Sequence, residues 1–123
     1  MNRWKLYNPN PIPGKRVGDC AIRACCKATG RDWDEVFDGL VEIAFYQKDV
    51  LSANAVWGDY LRENGYKRCE PDFRMTVADF CADHPRGTYV LGLDGHVLTV
   101  EDGMYYDTWD SGERCSGWQS TES

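Results

Sequence analysis

The sequence predicts an α+β domain, on three observations. Four stretches with helical spacing of apolar residues come first, β-patterned runs follow, and Asp102-Gly103 joins two of those runs with a hairpin signature. This order points to N-terminal helices packed on a C-terminal antiparallel sheet. Over its 123 residues the chain shows no linker, internal repeat or low-complexity run, so 1–123 reads as a single domain.

Residues 1–18 read as irregular, because Asn8-Pro9-Asn10-Pro11 and Pro13-Gly14 are turn and extended signals. Trp4, Leu6 and Tyr7 are expected to anchor this segment to the body. A first helix runs from Asp19, a natural N-cap, to Thr29, and Gly30 ends it. Its small residues Ala21, Ala24 and Ala28 suit close packing. A second helix begins at Asp32, which has capping-box spacing to Glu35. Trp33, Val36, Phe37, Leu40, Val41 and Ala44 form its apolar face. A third follows Ser52, with Val56, Trp57, Tyr60 and Leu61 on one face, and Asn64-Gly65 stops it. Tyr66 to Cys69 reads as a short strand or loop. A fourth, short helix follows Thr76, which has cap spacing to Asp79, and Pro85 forbids much continuation. Thr88–Leu93, His96–Glu101 and Met104–Trp109 then read as strands, Cys115–Trp118 as a last short one, and Gln119–Ser123 as loose.

The net charge of -6 argues against bulk binding to nucleic acid or to an anionic membrane surface, which needs a positive field. No run approaches the ~20 apolar residues of a membrane span. Met1 to Pro13 lacks the apolar core of a signal peptide. A cytoplasmic protein is therefore expected, with its six cysteines mostly reduced. Cys81 and His84 form an isolated C-x-x-H, which a core cysteine beside a surface histidine explains; no metal site is expected. Lys15, Arg16, Arg23, Lys27 and Arg31 flank Cys20. They read either as a solvated face or as a preference for an acidic substrate.

Three residues carry a chemical pattern. Cys20 falls in the first turn of a helix, where free amide hydrogens and the helix dipole favour a thiolate. His96 opens a strand. Asp107 lies on the next one. If Asp102-Gly103 is a two-residue turn, Glu101 opposes Met104, Leu98 opposes Asp107 and His96 opposes Trp109. His96 and Asp107 are then diagonal neighbours on one face, roughly 7–8 Å apart at the backbone. A one-residue change in the turn separates them. An imidazolium beside Cys20 favours its thiolate, and a carboxylate orients the imidazole. The same count puts Trp109 on the face of Asp107, as a shield for the pair. Cys25 and Cys26 lie too far into the helix for its dipole to activate them.

These pieces, Gly18-Asp19-Cys20 opening a helix, Gly95-His96-Val97 opening a strand and Tyr106-Asp107-Thr108-Trp109-Asp110-Ser111 after it, resemble the small papain-like cysteine peptidases, nearest in style to the bacteriocin-processing and related bacterial or phage enzymes. The resemblance covers the functional core rather than the whole chain. It implies a nucleophile helix packed against an antiparallel sheet. It also implies amide hydrolysis of a peptide or protein substrate through an acyl-enzyme, without a cofactor. Cys20 would attack, His96 would shuttle the proton and Asp107 would orient His96. The family's glutamine about six residues before the cysteine, an oxyanion donor, is replaced here by Gly14. Of the nearest upstream amides, Asn8 and Asn10, Asn10 is the candidate to stand in. The same triad on the same scaffold also suits a deamidase or acyltransferase, and a non-catalytic binding module is the reading from a different class.

Overall fold

Gly30 in the left-handed region (φ 73°) ends the first helix where the sequence predicts, and the other three helices follow closely. The structure is a computed structural model describing residues 2–69, 75–113 and the backbone of 116–122. Its elements in chain order are β1 (Trp4–Leu6), α1 (Cys20–Thr29), α2 (Trp33–Gln47), α3 (Asn54–Glu63), β2 (Tyr66–Cys69), α4 (Val77–Asp83), β3 (Thr88–Leu93), β4 (His96–Glu101), β5 (Met104–Asp107) and β6 (Ser116–Glu122). The fold is mixed α and β, with four helices among the described residues.

One six-stranded sheet, in the order β1-β5-β4-β3-β6-β2, forms the frame. Three expectations need correction. The sheet is mixed rather than purely antiparallel, because β1 runs parallel to β5. That strand arises in a segment whose prolines predict irregularity. Its extended backbone covers the edge of β5 through Tyr105 N–H to Arg3 O (2.8 Å) and Tyr7 N–H to Asp107 O (2.9 Å). The tail is not loose either: residues 119–121 pair with both β2 and β3, and Glu122 with β2. Its polar sequence lacks the alternation of a half-buried strand, and backbone ladders on both sides hold it instead. Cys115 and Ser123 lie outside the described residues. Finally, Val41 does not join the inward face of α2; it is exposed, while Val36, Leu40 and Ala44 are buried.

Capping follows the sequence at two helices. Asp32 accepts from Glu35 N–H (2.9 Å) and Thr76 from Asp79 N–H (3.1 Å). Asp19 occupies the N-cap position of α1, but its side chain caps nothing and turns to other partners described below.

Helices cover both faces of the sheet. Val90 and Val97 belong to the core shared with α1, α2 and α3. Leu91, Leu98, Val100 and Tyr105 belong to the core shared with α4. Successive residues of β3 and β4 thus feed opposite cores, as the pleat requires. Thr99 donates to Ala24 O (2.7 Å), bonding the α1 backbone directly to β4. That contact seats the start of α1 beside the start of β4. Among the described residues no helix is long and apolar enough to cross a membrane.

Candidate active site

Two tight turns set the geometry. Asp102 (φ 50°) and Gly103 (φ 79°) both take the positive φ that a two-residue hairpin turn of this hand needs. The resulting register pairs Glu101 with Met104, Val100 with Tyr105 and Thr99 with Tyr106. This is the register the sequence predicts. His96 follows the Asp94-Gly95 turn and pairs with Leu93. Asp107 ends β5. His96 Nε2 and Asp107 Oδ2 lie 2.5 Å apart, and both side chains are almost wholly buried. With Nε2 committed to the carboxylate, Nδ1 is the ring nitrogen left to serve a neighbour. That neighbour is the half-buried Cys20, the first residue of α1, which is hydrogen-bonded to the His96 side chain.

The electrostatics follow from this contact. Burial pushes the Cys20 thiol up, but the His96 hydrogen bond and charge, a bond from the Val97 backbone and the Arg23 charge outweigh it and hold the thiol below its ordinary range. Burial pushes His96 down, yet Asp107 and Cys20 raise it to about 9. Burial likewise pushes Asp107 up, and the bonds from His96 and Ser111 reverse the shift and lower it. The other buried thiols go the opposite way: desolvation raises Cys25, lifts Cys26 to about 12 and lifts Cys81 to about 11. Cys20 is the one shifted toward thiolate among the described residues.

Asp107 collects more partners than a lone orienting carboxylate needs. Besides His96 it accepts from Ser111 Oγ (2.6 Å), Thr108 N–H (2.8 Å) and Arg23 Nη2 (3.2 Å). Arg23 also bonds Asp19, whose second oxygen takes the Trp33 indole N–H (3.0 Å). Trp109 packs beside His96, their ring centres 5.6 Å apart. Arg23, Asp19, Trp33 and Ser111 are the residues that sequence reasoning missed. The i,i+4 spacing of Asp19 and Arg23 was a signal for their pairing; nothing local announced the reach of Arg23 to Asp107.

One cavity holds Cys20 and a second lies on the far side of Asp19. The first, of about 590 Å³, includes Gly18, Cys20, Ser52, Asn54 and His96 in its wall. The second, of about 450 Å³, is lined by Lys15, Arg16, Arg23 and Trp109 among others. Asn10 lines neither. Its side-chain oxygen accepts from Ile12 N–H (3.0 Å), the bond of a turn residue. The basic cluster around Cys20 also dissolves. Arg23 is buried and paired, Lys27 meets Glu101 and lies 4.1 Å from the Tyr106 ring centre, and Arg31 meets Glu35. Of these five, Lys15 and Arg16 carry no ion pair with the described residues. His84 is occupied with Phe80, stacked at 3.8 Å and bonded to its carbonyl (3.0 Å). Among the described residues no three His, Cys, Asp or Glu side chains gather as a metal cluster. A helix-start thiolate beside an imidazolium that a buried carboxylate orients can add to a carbonyl and protonate the group that leaves. No protein-family model matches the chain, and no curated protein or solved structure shows significant similarity to it.

Proposed function

We propose that the chain is a papain-like cysteine hydrolase that cleaves a peptide-like amide bond. The observation that carries this reading is the linked set Cys20, His96 and Asp107, with the thiol shifted down and the imidazole up to about 9. The Cys20 thiolate adds to the carbonyl carbon, and the carbonyl electron pair moves to oxygen. The adduct collapses, the C–N bond breaks, and His96 gives its proton to the departing amine. Water then enters, His96 takes one of its protons, and hydroxide addition frees the acid and restores the thiol. Asp107 holds the imidazole in one tautomer throughout. Capture of the acyl-enzyme by an amine instead of water makes the same site an acyltransferase; attack on a side-chain amide makes it a deamidase. A free thiolate suits the reducing cytoplasm.

The substrate is a peptide or protein segment with an acidic residue to one side of the scissile bond. Lys15 and Arg16 support this, as unpaired cations on the cavity next to the triad in a chain of net charge -6.

Alkylation by iodoacetamide, followed against pH and mapped to the modified cysteine, tests the reading. Cys20 is expected to react fast well below the ordinary thiol range near ~8.5. His96→Ala is expected to abolish that advantage. A Cys20 as slow as Cys25 overturns the hydrolase and favours a binding module on the same scaffold.

A further inference from the structure

We infer that Asn54 supplies the side-chain amide of the oxyanion hole, a proposal that rests on the hydrolase reading of Cys20. An acyl-transfer site needs donors aimed at the oxygen that gains charge. One is at hand in the backbone N–H of Cys20, which as the first residue of α1 has no carbonyl within that helix to bond. The upstream segment does not supply the second. Asn10 does not line the cavity that holds Cys20, while Asn8 and Gly14 line the one that excludes it.

The cavity that holds Cys20 and His96 contains Asn54, the first residue of α3. Its amide has a defined orientation. The buried Trp57 indole N–H, a donor only, bonds Asn54 Oδ1 at 3.1 Å. The oxygen therefore faces Trp57 and the Nδ2 group is turned away from it, with no acceptor among the described residues. The exposed Asn54 side chain thus keeps two donor hydrogens free while Trp57 holds its oxygen. The start of α3 adds positive partial charge to the same wall. The other polar side chains in that wall fit less well. Asp94 is an acceptor that repels an oxyanion, and Ser52 offers one rotating hydroxyl hydrogen.

A tripeptide aldehyde provides the test. Addition of the Cys20 thiol to the aldehyde carbon forms a hemithioacetal whose oxygen sits where the oxyanion sits; alkylation by iodoacetamide forms no such oxygen. Aldehyde affinity is read by protection of Cys20 from iodoacetamide. Asn54→Ala is expected to weaken the aldehyde on the order of 10²-fold while the pH profile of Cys20 alkylation stays as in the wild type. Asn54→Asp keeps the acceptor for Trp57 and removes the donors, so it is expected to weaken the aldehyde at least as much without loss of folding. Wild-type aldehyde affinity in both variants, with Cys20 still rapidly alkylated, overturns Asn54 and leaves the hydrolase standing. A wild-type protein whose Cys20 is neither rapidly alkylated nor protected by aldehyde overturns both.

Discussion

Arg23 and Asp107 form a buried ion pair, Nη2 to Oδ1 at 3.2 Å, that ties the helix carrying Cys20 to the strand carrying the orienting carboxylate. Because the same guanidinium also holds Asp19, the residue before Cys20, one side chain fixes the thiol's segment and the carboxylate together. The planar fork of arginine suits this double role, and lysine does not.

Arg23→Met is expected to destabilise the protein by about 3–5 kcal/mol, because buried Asp19 then loses its cation and Asp107 one of its two. Arg23→Lys is expected to cost less and still to slow Cys20 alkylation near neutral pH. Urea unfolding and alkylation kinetics check the two parts.

Asp107→Asn is expected to return Cys20 toward ordinary thiol behaviour and to lower any hydrolytic rate by on the order of 10²–10⁴-fold. The pH dependence of stability has a definite sign. Asp107 is lowered in the folded state, so its contribution is full above the unfolded value near ~3.9 and is lost as pH falls through the folded one. His96 is raised to about 9, so its contribution is full below the unfolded value near ~6.5 and is lost as pH rises through about 9. The stability gap between wild type and Asp107→Asn is therefore expected to peak between about pH 4 and 6.5. Denaturant midpoints for both proteins across that range measure it.

Reversing Lys15 and Arg16 to Glu is expected to lower labelling of Cys20 by acidic peptidyl epoxides several-fold, on the order of one unscreened ion pair per charge. Labelling by neutral peptidyl epoxides is expected to change little. Unchanged preference between the two probe classes removes the acidic-substrate assignment.

Gly103→Ala keeps enough room for a methyl group, since the nearest neighbours of its Cβ are 3.4 Å away, but φ is 79°. The expected cost is about 1–2 kcal/mol of stability with the register intact. Inserting one residue between Asp102 and Gly103 is expected to do the opposite kind of damage. Asp107 then faces away from His96, and the alkylation profile of Cys20 moves up toward the ordinary range. Thermal unfolding separates the first effect, alkylation the second.

His96 and Asp107 were legible in the sequence because strand parity and a two-residue turn are local rules that need no tertiary knowledge. Cys20 was legible because a helix start can be recognised from its flanking residues. Arg23, Ser111 and Asn54 were not. Their roles depend on where α1, the turn after β5 and the start of α3 come to rest, and nothing in their local spacing encodes that. The strand at Trp4–Leu6 failed for a related reason. Its partner in the sheet is β5, far along the chain, and the prolines that follow signal a turn rather than the ladder before it.

The wide chain separation between Cys20 and its partners has a consequence for synthesis. The helix start emerges well before β4, β5 and Ser111, and pairings this distant in sequence form late. Until then Cys20 lacks the imidazole that lowers it and remains an unremarkable thiol. Reactive thiolate is thus coupled to completion of the fold, so a nascent or truncated chain stays chemically quiet. The appearance of fast-alkylating Cys20 can serve as a clock for the docking of α1 on β4 and β5.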